Sequence, residues 1–146
     1  MLVAVFLSGA FYANSRGLNM LRSSRETAIA SKILQERMEE LRGMTWTDVT
    51  DSSSLKSNYA TATDSAAGLA PNILTETLTV TAWPTAGTAI KITRSATGTV
   101  ALVTDNVDLD VQSAVLITVR AAWTGAGARS RVRETSTVIA NGGLGR

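Results

Sequence analysis

The feature that most constrains this chain is its first forty-two residues. They contain no proline and only two glycines, Gly9 and Gly17, so nothing in them forbids one continuous helix. The opening stretch, MLVAVFLSGAFYA, carries no charge, and the first ionisable basic side chain is Arg16. Beyond Ser15 the pattern changes to that of a helix with one buried face. Ala30, Leu34, Met38 and Leu41 recur at intervals of three and four. Arg22 with Glu26, Lys32 with Glu36, and Glu39 with Arg42 stand three or four apart, as paired charges on a wet helix face do. Gly43 is a stop signal. At 1.5 Å per residue such a helix is about 60 Å long, more than a domain of this size uses for its own core. Its C-terminal half has a stripe with which to pack. Its apolar N-terminal half needs lipid or other copies of itself.

Thirteen apolar residues are too few to cross a bilayer core, which takes about 20 in a helix. Their number suits the hydrophobic region of a secretory signal, but no Lys or Arg precedes them, and such signals carry their positive charge in front. A signal peptide remains the alternative to a helix head.

After Trp46 the chain changes character. Residues 47–72 are rich in Ser, Thr, Asp and Ala without sustained periodicity and read as a connecting loop with at most one short turn. From Ile73 the pattern alternates. ILTETLTVTAW puts Leu74, Leu78, Val80 and Ala82 on one side and threonines on the other, with Glu76 the exception on the apolar side. TAIKITR, TVALVT, AVLITVRAAW and SRVRETSTVIA follow, separated by turn signals at Pro84 to Gly87, Ala96 to Gly98 and Thr124 to Ala128. The plan is α+β: a long helix over residues 1–46, with an apolar head at 1–13 and an amphipathic stem at 14–42. The loop at 47–72 follows, and then a meander of about four or five antiparallel strands in 73–146 that packs on the C-terminal half of the helix.

At 146 residues, 45% hydrophobic, the chain is one domain's worth. It has no Cys and no His, which removes thiol and imidazole nucleophiles, histidine bases and the usual zinc sites. No phosphate-loop pattern occurs, and no Ser has a nucleophile-elbow context. These residues point to no enzyme and no cofactor. The formal charge of +2 gives no indication of a nucleic-acid partner.

Three pieces of the chain carry a resemblance. MLVAVFLSGAF resembles the hydrophobic segment of type IV pilin-like proteins, beginning just after the point where that family's Phe-Thr-Leu-Ile-Glu sequence ends, with Gly9 where the family commonly has a glycine. ETAIASKILQERMEELRGMTW, Glu26 to Trp46, is similar to the helix of minor pilins and type II secretion pseudopilins. VRAAWTGAGARSRVRETSTVIANGGLG resembles their paired last strands. The resemblance covers about the first third and the last fifth of the chain. It implies a structural subunit of a pilus or pseudopilus, found at the bacterial cell surface or in the periplasm. Before assembly it is a single-pass protein of the inner membrane, and its partners are other copies or other pilins, that membrane and the assembly machinery. It implies that Leu2, Val3, Val5, Phe6, Leu7, Phe11, Leu18 and Leu21 pack in the filament core, while Ala30, Leu34, Met38 and Leu41 hold the sheet. Where the family often has a helix-interrupting proline this chain has Gly17, a candidate melting point, since glycine costs a helix about 1 kcal/mol relative to alanine. The family's glutamate near the mature N-terminus has no counterpart here; Val5 takes its place if Met1 is the mature start. The competing reading is a secreted β-rich binding or adhesion module behind a signal peptide.

Four smaller features each have a plain reading and a sharper one. Asp105, Asp108 and Asp110 are weak calcium candidates, but the last two alternate with Val107, Leu109 and Val111 as a wet strand face does. Arg129, Arg131 and Arg133 could follow phosphates; a charged edge strand is the favoured account. Trp46, Trp83 and Trp123 are expected to pack in a core or an interface and not to form a sugar platform. The many Ser and Thr could carry glycans, though composition gives that little weight.

Overall fold

The structure, a computed structural model, describes residues 2–69, 74–84, 87, 89–105, 109–125 and 128–142. Helix α1 runs unbroken over Leu2–Gly43, through both Gly9 and Gly17. Its last turn carries Arg42, a cation at the negative end of the helix dipole.

Two short helices follow, α2 at Trp46–Thr50 and α3 at Ser52–Tyr59, and then a 3-10 turn at Asp64–Leu69. The stretch expected to be a loop therefore folds. The reason is capping and a few well-placed apolar residues. The Thr45 hydroxyl accepts from the Asp48 amide at 3.3 Å, and the Asp51 carboxylate accepts from the Ser54 amide at 2.7 Å. Val49, Leu55, Tyr59 and Leu69 are buried beneath these short elements. Helices of one or two turns show too few apolar positions for a period to emerge from a Ser/Thr-rich background.

The sheet has five antiparallel strands: β1 at Leu74–Ala82, β2 at Ala89–Arg94, β3 at Val100–Asp105, β4 at Ala114–Thr124 and β5 at Ser130–Ala140. Their order is β3-β2-β1-β4-β5, so β4 pairs with β1 and not with β3, and the simple meander is corrected at that one connection. Burial explains the choice. Strand β1 alternates buried and half-buried along its whole length and takes the centre, whereas β3 has no buried residue and sits at an edge. Strand β4 buries Val115, Ile117, Val119, Ala121 and Trp123 on one face. That face of the sheet is covered by helices, with α1 against β4 and β5 and α3 against β2 and β3. The other face is wet and rich in threonine, Thr77, Thr79 and Thr81 of β1 among them.

The α+β plan, a long helix packed on an antiparallel sheet, is thus the observed fold. The stem residues Ala30, Leu34, Met38 and Leu41 are all buried, joined by Ile33 and Arg37 on the same face.

Candidate assembly surface

Helix α1 changes environment at about its midpoint. From Ser23 onward it begins to meet the domain, and Glu26, Ala30 and Ile33 are buried. N-terminal to that point its described side chains are exposed. Val3, Phe6, Leu7, Phe11, Tyr12, Leu18, Met20 and Leu21 each leave half or more of their surface open, Phe6 the most at 78%. Val3, Leu7, Phe11, Leu18 and Leu21 share one stripe of the helix, while Phe6, Tyr12 and Met20 lie off it. With no charge before Arg16, the first turns are apolar on every side, the pattern of a helix meant to be surrounded. Of the residues assigned to filament-core packing, the side chains of Leu2 and Val5 lie outside those described. The other six are exposed on the half of the helix that projects from the domain, with Asn14 and Arg16 between Phe11 and Leu18. No helix among the described residues is long and apolar enough to cross a membrane.

What holds this projecting arm to the domain is partly apolar and partly ionic. Arg37, on the buried face of α1, is 1% exposed and donates through Nε to Glu76 Oε2 at 2.8 Å. It also donates to Glu40 Oε2 at 2.8 Å and to the Thr61 carbonyl at 2.6 Å. Arg94 closes the cluster from β2, reaching Glu76 Oε1 at 3.3 Å. The Tyr59 ring lies under the Arg37 guanidinium, 4.4 Å from its carbon to the ring centroid. Burial pulls the Arg37 guanidinium toward the neutral form, but the Glu76 charge and the hydrogen bonds to Glu76 and Glu40 outweigh it, and its pKa is raised. This cluster ties the C-terminal end of α1 to β1, β2 and the segment after α3. Leaving either buried charge alone costs about 3–5 kcal/mol in comparable cases, so the joint is sensitive to the loss of either partner. Glu36 makes a second, wetter tie, accepting from the Ser65 hydroxyl at 2.6 Å and the Ser65 amide at 3.2 Å.

Sequence reasoning missed Arg37. The signal was present: one cation on the apolar stripe of the stem and one carboxylate, Glu76, on the apolar side of β1. A lone charge on each of two faces that must pack together calls for a pair.

The remaining candidates separate in space. Asp105 ends β3 and Asp110 lies in the turn before β4; with Asp51 they line a cleft of about 230 Å³. Asp108 lies outside the described residues, among which no three acidic side chains are grouped so as to hold a metal ion. Trp123 is buried and Trp46 donates to the Asp110 carbonyl at 3.1 Å. Trp83 is 45% exposed beside Ala114, at the opposite end of β4 from Trp123, so the three make no common platform. Strand β5 is an edge strand, carrying Arg131 and Arg133, with Arg129 just before it. An open groove of about 560 Å³ between α1 and β5 mixes Glu39, Arg42, Arg133 and Glu134 around Leu34 and Met38.

No protein-family model, no curated protein and no solved structure matches this chain.

Proposed function

We propose that this protein is a structural subunit of a filament of the type IV pilus or type II secretion pseudopilus kind, and that it assembles through the projecting half of α1. The observation that carries the reading is the row of eight exposed large apolar side chains between Val3 and Leu21, on a helix continuous with a stem anchored in the domain. A monomer in water would leave this surface bare, so it exists to be covered. Before assembly its cover is the lipid of the cytoplasmic membrane. The charge-free thirteen residues reach about 20 Å, part of the way through a hydrocarbon core of about 30 Å.

In the filament the cover becomes the same helices of neighbouring copies. A buried Leu, Val, Phe or Met contributes about 1.5–3 kcal/mol whether lipid or protein surrounds it, so the exchange is nearly neutral in hydrophobic terms. Direction then comes from helix packing, charge pairing and an assembly machine. The domain, held to the outer half of the helix by the Arg37 cluster and the apolar stem, would form the filament's outer layer.

N-terminal sequencing of the native protein, together with electron microscopy of cell-surface material, tests this. Filaments containing the chain, with an N-methylated residue at or before Met1, are the expected result. A mature chain beginning near Ala13 would overturn the proposal and leave a secreted β-rich module in its place.

A further inference from the structure

At the end of the domain nearest the projecting arm, the β4–β5 hairpin comes down beside α1. Gly125 permits the approach. A Cβ at that position would stand 2.6 Å from Arg131 Nε and 2.8 Å from Glu26 Oε2. Next to it is a small pocket of about 230 Å³, lined by Thr27 of α1 and by Trp123, Arg131, Val132 and Arg133 of the hairpin. Trp123 and Arg131 are direct cross-strand partners, as are Ala121 and Arg133, so these side chains share the face turned to α1.

Two donors at this pocket have no acceptor among the described residues. The Trp123 indole N–H belongs to a residue only 3% exposed, and the Arg131 Nε–H is likewise buried. Buried donors in native proteins are nearly always satisfied, so a pair of orphans in one pocket indicates a missing acceptor. Of the charged side chains lining the pocket, Arg131 and Arg133, both are cationic. Glu26 stands beside Gly125 at its border. Glu26 is already engaged by Arg22 at 3.2 Å.

We infer that this pocket takes the phosphate of an anionic phospholipid headgroup. The inference rests on the reading that the projecting half of α1 is seated in lipid. Phosphate supplies several acceptor oxygens and negative charge, the complement of a guanidinium and an indole N–H. Position selects the lipid as its source. Thr27 lies six residues, about 9 Å along the helix, beyond Leu21, the last exposed apolar residue of the arm. When lipid covers Leu18 and Leu21, Arg22, Arg25 and the pocket meet the headgroup layer, which is about 5–8 Å thick on each side. The pocket thereby sets the depth and orientation of the subunit before it is extracted.

The test uses the full chain and two kinds of vesicle, phosphatidylcholine alone and phosphatidylcholine mixed with phosphatidylglycerol, with the bound fraction read by co-sedimentation. The wild type is expected to prefer the anionic vesicles. Arg131→Gln and Arg133→Gln should each weaken that binding about fivefold, and Lys91→Gln, on β2 and far from the pocket, should not. Arg131→Lys and Trp123→Phe keep the charge but remove a donor. With folding checked by circular dichroism, both should lose part of the preference, and if both retain it in full the pocket is refuted. Equal binding to the two compositions overturns the pocket alone; binding to neither overturns the lipid residence of the arm, and this inference with it. Displacement by inorganic phosphate at constant ionic strength would assign the site to a free oxyanion and overturn the lipid source.

Discussion

Tyr59 shows at the residue scale how the buried ionic cluster constrains its neighbours. Its ring supports Arg37, yet its hydroxyl is buried with no hydrogen-bond partner among the described residues. Burial, reinforced by the nearby Glu76 charge, pushes its pKa well above the ordinary value of 10.0. Above about pH 10 the unfolded chain releases this proton while the folded chain keeps it, so stability should fall as pH rises. Tyr59→Phe should abolish that fall. At neutral pH it should leave stability unchanged or raise it by up to about 1 kcal/mol, since it removes an unsatisfied polar atom and keeps the ring. Urea unfolding at neutral and alkaline pH checks both. Glu36 behaves oppositely. Partial burial raises its pKa, but the Ser65 hydroxyl and amide and the Lys32 charge outweigh this and hold it below 4.5. Its contribution is present above the unfolded value and is lost as pH falls through the folded one. The urea midpoint of the wild type should therefore drop between about pH 5 and pH 3 more steeply than that of Glu36→Gln.

Helix α1 is one element with two environments. Its C-terminal half is held by a packed stripe and by Arg37, and hydrogen bonds within that half are protected by the domain. The half before Ser23 is held by its own backbone ladder and by local contacts such as Arg16 over the Tyr12 ring, and at Gly17 nothing among the described residues comes within 4 Å of where a Cβ would stand. Gly17→Ala is therefore free of steric cost and should favour the helix by about 1 kcal/mol. Amide hydrogen exchange around residue 17 should slow about fivefold, with exchange at Ile33 to Leu41 unchanged. If Gly17 is where the helix melts during assembly, the same substitution should also slow filament formation. The stem was legible in the sequence because four apolar residues at helical spacing are enough to define a face. The short helices α2 and α3 were not, because their stability comes from caps and from a cover that other elements supply.

For the molecule as a whole, folding and assembly use separate surfaces. None of Phe6, Phe11, Leu18 or Leu21 contributes to the core, so replacing all four by Ser should shift the domain's unfolding free energy by no more than about 0.5 kcal/mol per site. The same variant should lose vesicle binding and filament formation. Thermal unfolding followed by circular dichroism in parallel with sedimentation separates the two effects. A large loss of domain stability would mean that the arm folds back on the sheet.

The sequence alone determined the elements with strong periodicity: the long helix, its buried stripe, the alternation of the strands and the bare apolar head. These are local patterns, written in spacings of three, four and two. Only the tertiary structure decided that β4 returns beside β1, that Arg37 and Glu76 meet, and that Trp123 and Arg131 share a pocket with Thr27. Each of those pairings joins residues far apart in the chain. Which distant residues meet depends on how all the buried faces are covered at once, and no local pattern encodes that choice.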